Sequence, residues 1–152
     1  AEIVTRDHVM RLARFLRRSV PGFERSRVEL TAPMLGIRAT RQIVGGIAPT
    51  MQEVRTVRFP DTVVKPYAED SMRLPYGVLL PRGVAQLLVA GRCISADEEA
   101  MGQLRLIPVC SATGQAAGTA AGLALRAGVP PARLDIAMLQ QALAAHGVDL
   151  GI

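Results

Sequence analysis

The stretch LLVAGRCISADEEAMGQLRLIPVCSATGQAAGTAA, residues 87–121, indicates how the rest of the chain is arranged. It opens with the apolar run Leu87–Ala90, continues through Gly91-Arg92 into a loop, and ends in a segment of small residues. An apolar run without alternation is typical of a parallel strand covered on both faces, which needs neighbouring strands. A strand, a glycine turn and a small-residue helix together bring backbone amides up to an anionic ligand. We therefore interpret the stretch as the core of an anion-binding unit.

The small-residue segment predicts a helix over residues 113–127. Gly114, Gly118 and Gly122 recur every four residues, which places them along one side of that helix. Glycine inside a helix is about 1 kcal/mol less favourable than alanine, so three on one stripe predict that something packs very close to the backbone. Gly128 can end the helix, and the prolines that follow forbid its continuation.

Periodicity and capping signals place the remaining elements. Thr5 is a candidate helix cap, and Thr50-Met51-Gln52-Glu53 fits a capping box before a short helical turn. The patterns predict helices at 5–18 and 135–145, and strands at about 37–44, 62–65, 77–80 and 87–90. The fold class that follows is α/β, or an α+β fragment.

Two arginines on the first predicted strand are candidate ligands for an anion. On a strand, Arg38 and Arg41 point to opposite faces, so at most one of them faces a given pocket. Arg41 shares its face with Ile37 and Ile43, which predicts that it is partly buried and needs an anionic partner. An intramolecular salt bridge is the alternative.

Composition narrows the class of protein. The chain has 152 residues, a net charge of +5, 49% hydrophobic residues and only 3% aromatics, and its mean hydropathy is +0.25. Such apolar content suggests that something outside the chain covers part of its surface. Residues 1–60 hold eleven arginines against five acidic residues, which suits nucleic acid, an acidic membrane surface or an anionic substrate. The lack of stacking aromatics or a known module argues against nucleic acid.

Cysteine and histidine usage indicates neither a disulfide framework nor a metal site. Cys93 and Cys110 are far apart in sequence, and we interpret them as packing thiols in a reducing compartment. His8 and His146 have no ligand partner at metal spacing, which favours surface or capping roles. The chain shows no secretion signal and no continuous apolar span, so we expect a cytoplasmic protein without a membrane segment.

The segments LLVAGRCISA (87–96) and RLIPVCSATGQAAGTAA (105–121) resemble the C-terminal end of FAD-dependent oxidoreductases of the glutathione-reductase type. The closest resemblance is to the bacterial FAD-dependent oxidoreductase family. GIRATRQIVGG (36–46) and LPYGVLLPRGV (74–84) also look like segments of that family, so the resemblance covers about residues 34–146. It implies FAD as the cofactor and hydride or electron transfer through the flavin, by an enzyme that is active when assembled.

The resemblance also implies site residues. The strand at 87–90 would be the last strand of the FAD sheet, and the helix at Gly114–Ala121 would point its N-terminus at the flavin, whose reduced form carries negative charge. Arg38, Arg41 and Arg92 are candidates for holding an anionic substrate or phosphate. Glu98 stands where the family often has His and is a candidate for proton transfer. The cofactor-binding positions carried over are Gly91, Arg92, Arg105, Pro108, Gly114, Gln115, Ala116 and Ala117.

One departure from the family concerns the organisation of the whole protein. The strand–GxGxxG–helix unit that holds the adenosine and pyrophosphate has no counterpart here. We therefore expect residues 1–83 to be part of a substrate or cap domain, residues 84–152 to contact FAD, and a separate subunit or lost segment to supply the nucleotide-binding part. A small anionic or organic substrate and a homo-oligomer fit this organisation. The alternatives are a non-catalytic subunit or assembly module of the same family, and an arginine-rich nucleic-acid binder.

Overall fold

Helices carry most of the regular structure, as the runs of alanine, leucine and arginine favour. The structure is a computed structural model that describes residues 1–38, 41–67 and 72–152. Its elements are α1 (Glu2–Ser19), α2 (Met51–Thr56), β1 (Thr62–Val64), β2 (Leu74–Pro75), α3 (Glu98–Leu104), α4 (Ile107–Ala127) and α5 (Ile136–Ala145). Short 3₁₀ turns lie at Tyr76–Leu79, Gly91–Cys93 and Pro131–Arg133. This mixture of helices with a two-stranded sheet is consistent with the predicted α/β or α+β class.

The chain forms two compact units, Ala1–Ile37 and Arg38–Ile152. Their boundary differs from the division at residues 83 and 84 that the sequence predicts, and the functional division remains a prediction. Within the described ranges, no helix combines the length and the apolar character that a transmembrane span requires.

In the first unit, α1 begins three residues before the predicted start. Its N-cap is Ala1, and the hydroxyl of Thr5 donates to the Ala1 carbonyl at 3.0 Å instead of capping the helix. Ion pairs one turn apart, Arg6 with Glu2 and Arg11 with Asp7, support the first half of the helix, and the first of them spans the added residues. No residue of α1 is buried, so its arginines are exposed, as expected of a surface helix.

The core of the second unit lies between the small sheet and two helices. β1 pairs antiparallel with β2, with Thr62 opposite Pro75 and Val64 opposite Leu74. Helices α4 and α5 pack against each other and against β1. Buried aliphatic side chains from all these elements fill the core, and each valine or leucine among them is worth roughly 1.5–3 kcal/mol of transfer free energy. The core includes Val63, Val64, Leu74, Val109, Ala116, Ala120, Leu139 and Leu143.

Helix ends in this unit follow the local signals in the sequence. The capping box of α2 is confirmed: the Thr50 side chain accepts from the Glu53 amide, and the Glu53 carboxylate accepts from the Thr50 amide and hydroxyl. These bonds, chiefly the one from the Thr50 backbone amide, lower the pKa of Glu53. Gly128 ends α4 with φ at +65°, and Asp135 caps α5 through the Ala137 amide. The predicted ends at Ala127 and Ala145 are confirmed.

The strand predictions were less successful. Only the strand at 62–65 is confirmed, as β1. The 77–80 segment is a 3₁₀ turn, in which Gly77 packs against Ile47 and its carbonyl accepts from the Gly46 amide. Residues 37, 38 and 41–44 form no strand, and residues 39 and 40 lie outside the described residues. Residues 87–90 also form no strand within the described chain. Val89 donates a single backbone bond to Leu79, and no described strand pairs with this segment.

Candidate functional site

The site is organised around the turn that follows residues 87–90. Ala90 is extended, and Gly91 reverses the chain with φ at +75°, a left-handed conformation that glycine adopts without strain. The chain then forms the 3₁₀ turn Gly91–Cys93 and continues to the N-cap of α3, Asp97. We call residues 91–97 the GRC loop.

Hydrogen bonds from distant segments brace the GRC loop. The Ile43 amide donates to the Cys93 carbonyl at 2.9 Å, and the Ser95 amide donates to the Val78 carbonyl at 3.0 Å. The Asp97 amide donates to the Pro49 carbonyl at 3.2 Å. Buried backbone groups that are bonded in this way hold a loop in one conformation. The loop is therefore a fixed element of the second unit.

Thr113 joins the GRC loop to α4. Its hydroxyl oxygen accepts a 3.0 Å bond from the Gly91 amide, and its proton is directed at the carbonyls of Val109 and Cys110, 2.8 and 3.0 Å away. The side chain is fully buried. Sequence reasoning missed this residue, although its spacing of four from Val109 and Ala117 places it on the face of α4 that turns inward.

The N-terminus of α4 lies seven residues before the predicted glycine. Its N-cap is Leu106, which makes no side-chain capping bond, and Pro108 stands in the first turn. The predicted start at residue 113 was therefore wrong; Pro108, a residue type favoured in the first turn, was the signal for the true start. Gly114 lies about 10 Å further along the helix axis. Any dipole effect of α4 on an anion comes from residues 106–109.

The glycine stripe of α4 faces open space. A Cβ placed on Gly114 or Gly118 would meet no atom of the described residues within 4 Å, and one on Gly122 would meet only the end of Arg126. Ile107 and Leu125, at the two ends of this face, are 85% and 83% exposed. The prediction that something packs against the stripe is thus not met within this structure.

The other carried-over positions differ in accessibility. Gln115 is exposed on α4, Ala117 is half-buried, and Ala116 is completely buried in the core. Ala116 therefore offers no surface to a cofactor here, and it acts only by packing. Arg105, half-buried in the short α3–α4 connection, accepts at its carbonyl a 3.4 Å contact from the Cys110 thiol.

The predicted catalytic candidates lie on the surface. Arg38 is exposed, and so is Arg41, which contradicts the prediction that Arg41 is partly buried. The reason is that the alternation around it does not belong to a strand covered on one face. Glu98 is the first residue of α3 and is exposed as well. The bond between Ile43 and Cys93 does bring the segment of Arg41 beside the segment of Arg92.

The two cysteines are free thiols in different surroundings. Cys93 is exposed in the GRC loop, which corrects its interpretation as a packing thiol, while Cys110 is half-buried with its sulfur beside Gly91. His8 and His146 are both exposed, and His146 is the C-cap of α5. Among the described residues, no three His, Cys, Asp or Glu side chains are grouped so that they could hold a metal ion.

Comparison with known proteins gives one result at the family level. A family model described as FAD dependent oxidoreductase matches residues 1–71 and residues 65–143. The two matched ranges together cover most of the chain, including the whole first unit, the second unit up to residue 143 and the GRC loop. No curated protein and no solved structure matches the chain significantly.

Proposed function

Since the protein belongs to the FAD dependent oxidoreductase family, we propose that it supplies the C-terminal portion of a flavin-dependent oxidoreductase of the glutathione-reductase type. In this proposal, residues 84–152 complete the flavin side of an FAD site, and residues 1–83 contribute to the substrate pocket. A part outside this chain, carrying a GxGxxG unit, holds the adenosine and pyrophosphate. The isolated chain then lacks activity of its own.

The observation that carries the proposal is the uncapped N-terminus of α4 next to the GRC loop. The first amides of a helix have no intrahelical acceptor, and the Leu106 side chain makes no capping bond to them. The resulting positive end of the helix suits an anionic group. The open space over Gly114 and Gly118 suits a flat ring or a second backbone lying close to α4.

The described residues fit the flavin end of FAD but not its adenosine end. When bound, FAD supplies hydride or electron transfer at the flavin N5 atom. Residues 106–109 of α4 stabilise negative charge on the bound ligand, Gly114 lets it approach the helix closely, and Gln115 offers an exposed side-chain amide on the next residue of the helix. Arg105 and Pro108 shape the entry to this surface.

Arginines beside the GRC loop hold an anionic group in this proposal. Arg92 is exposed in the loop, and Arg41 lies two residues before Ile43, whose amide binds the loop. Guanidinium groups form paired hydrogen bonds to carboxylate or phosphate, which orients an anionic substrate. Arg38 and the exposed carboxylate of Glu98 are the further candidates, for substrate binding and for proton transfer respectively.

The second candidate function is that of a non-catalytic assembly module of the same family. The observation that favours it is the exposed face of α4, where Ile107 and Leu125 flank the uncovered glycine stripe. Small residues between bulky apolar ones allow another helix to pack closely. This candidate needs no contact between the GRC loop and a cofactor.

Affinity capture of the tagged chain from cells that produce it tests the proposal. We expect the chain to be recovered with a second polypeptide and with stoichiometric FAD, identified by absorbance and mass. Arg92→Ala and Gly114→Leu should each lower the flavin content, while Arg58→Ala, which removes an exposed arginine between α2 and β1, should not. An assembly without flavin, or flavin content that neither variant changes, would favour the assembly module.

A further inference from the structure

Three serine or threonine side chains are buried among the residues that the structure describes, and one of them bonds a distant segment through its hydroxyl. They are Thr62, Ser95 and Thr113. The hydroxyl of Thr62 donates to Phe59, three residues away, whereas Thr113 bonds Gly91, which lies 22 residues away. Burying a hydroxyl group is unfavourable unless it is hydrogen-bonded. The Thr113 hydroxyl meets this condition, because it accepts a bond from Gly91 and donates to carbonyls of α4.

The hydrogen bond to Thr113 determines which backbone groups of Gly91 remain available to a ligand. The Gly91 amide donates to Thr113 at 3.0 Å, and its carbonyl accepts from the Ile94 amide at 3.4 Å. An amide that already donates to a buried hydroxyl is not available to a phosphate or flavin oxygen. The glycine therefore serves the turn through its positive φ and not as a donor to a ligand.

We propose that Thr113 is a positioning residue, which locks the GRC loop to α4 so that Arg92 and the N-terminus of α4 face the cofactor as one rigid unit. This inference rests on the proposed function and deepens it. The hydroxyl acts through Gly91, one residue before Arg92, and it need not touch the cofactor. The sulfur of Cys110 also lies beside the Gly91 turn, 3.8 Å from where a Cβ on Gly91 would be.

Substitutions that separate shape from hydrogen bonding test the role. Thr113→Val keeps the shape and removes the hydroxyl, and Thr113→Ser keeps the hydroxyl and removes a methyl group. Thr119→Val is the matched control, because Thr119 lies on the same helix and is half-buried. Amide hydrogen exchange at Gly91 is measured in each chain, and the FAD dissociation constant is measured in the assembly captured through that chain.

In Thr113→Val we expect the Gly91 amide to exchange roughly tenfold faster or more, and FAD to bind about tenfold more weakly. Thr113→Ser should restore both values to within about twofold of the wild type, and Thr119→Val should change neither. Equal effects of the Val and Ser variants would reduce Thr113 to a packing residue and overturn the proposal.

Two further outcomes also decide against it. If Gly91 exchanges as an unprotected amide in the wild-type chain, the bond is absent in solution, and this measurement needs no folded variant. If Thr113→Val speeds exchange but leaves the FAD affinity unchanged, the loop is locked without consequence for the cofactor. A wild-type assembly that binds no FAD refutes the proposed function itself, which is a different result from either of these.

Discussion

The Ile43 amide donates a 2.9 Å hydrogen bond to the Cys93 carbonyl, and this bond connects the segment carrying Arg41 to the loop carrying Arg92. The two arginines are about 50 residues apart in sequence, yet the backbone holds their segments side by side. In the proposed function, one anionic ligand would meet charge from both segments. The bond thus joins the proposed substrate-binding and cofactor-binding parts of the protein.

Removing Arg41 should affect binding of an anionic substrate without affecting stability. In the assembly we expect Arg41→Ala to raise KM about tenfold or more, since a charge-assisted hydrogen bond is worth about 1.5–3 kcal/mol, and to leave kcat nearly unchanged. Because Arg41 is exposed, the free energy of unfolding should change by less than about 0.5 kcal/mol. Steady-state kinetics and denaturant titration measure these quantities. A fall in kcat with unchanged KM would contradict the binding role.

A methyl group at Gly45 should destabilise the second unit. The added Cβ would lie 2.5 Å from the Cβ of Ser95 and 3.1 Å from the Gly77 carbonyl oxygen. We expect Gly45→Ala to lose about 1–3 kcal/mol of unfolding free energy through overpacking. Gly102→Ala is the control: that glycine lies inside α3 with nothing within 4 Å, so alanine should gain about 0.5–1 kcal/mol. Losses of similar size in both variants would refute the close approach.

Alanine in the glycine stripe should stabilise the chain and impair the assembly. Gly114→Ala and Gly118→Ala meet no atom within 4 Å, and each should add about 0.5–1 kcal/mol to the unfolding free energy by favouring the helix. In the captured assembly the same changes should lower flavin content or weaken subunit association.

Gly128→Ala is the control for these two variants, because it should lower the unfolding free energy and not raise it. Its φ of +65° strains any other residue, so alanine should destabilise α4 by about 1 kcal/mol. Thermal unfolding of the three variants measures the difference. Stabilised variants with full flavin content and intact association would show that nothing approaches the stripe.

Tyr76 should make stability depend on alkaline pH. The hydroxyl is buried and donates to the Pro131 carbonyl at 3.1 Å, and burial raises its pKa to about 12. Folding thus favours the protonated phenol, so this contribution is complete below the ordinary value of 10 and is lost as pH rises from there towards about 12. Tyr76→Phe should lose about 1 kcal/mol of unfolding free energy at neutral pH. Its unfolding free energy should also fall less steeply with pH above 10 than that of the wild type. Denaturant titrations over this pH range measure it, and an equal fall of the unfolding free energy in both proteins would contradict the role of Tyr76.

The ion pair between Lys65 and Asp149 should make stability depend on acidic pH. Lys65 donates to the Asp149 carboxylate, and this bond, followed by one from the Gly151 amide, lowers the pKa of Asp149. A lowered pKa stabilises the fold above the ordinary value of 3.8, and the effect is lost as pH falls through the folded value. Lys65→Met should therefore be less stable at neutral pH, and the difference should narrow at a pH below 3.8. Unfolding curves at the two pH values measure it, and a constant difference would refute it.

Local chemistry in the sequence was sufficient to place several helix ends. Thr50 with Glu53, Gly128 and Asp135 each act on backbone groups within a few residues, so their effects are visible in a short window. The start of α4 was predicted wrongly, although Pro108, a residue type that favours a first helical turn, marked it in the sequence.

Features that depend on distant partners could not be predicted in this way. Leu87–Ala90 has the composition of a buried strand, but a strand exists only beside another one, and the described chain pairs none with it. The exposure of Arg41 and the bond between Thr113 and Gly91 are likewise set by packing between segments far apart. The family match, by contrast, draws on the sequence of most of the chain and assigns it to the FAD dependent oxidoreductases.

The bracing of the GRC loop also has a consequence for the order of folding. Its bonds to Ile43, Val78, Pro49 and Thr113 each close a loop of about 17 to 50 residues. Closing long loops is entropically unfavourable and slows the formation of such contacts, whereas α4 and α5 form from local ones. We therefore expect the helices to form early and the GRC loop to acquire its protection last. The proposed cofactor-binding surface would then exist only in the fully folded protein and in none of its folding intermediates.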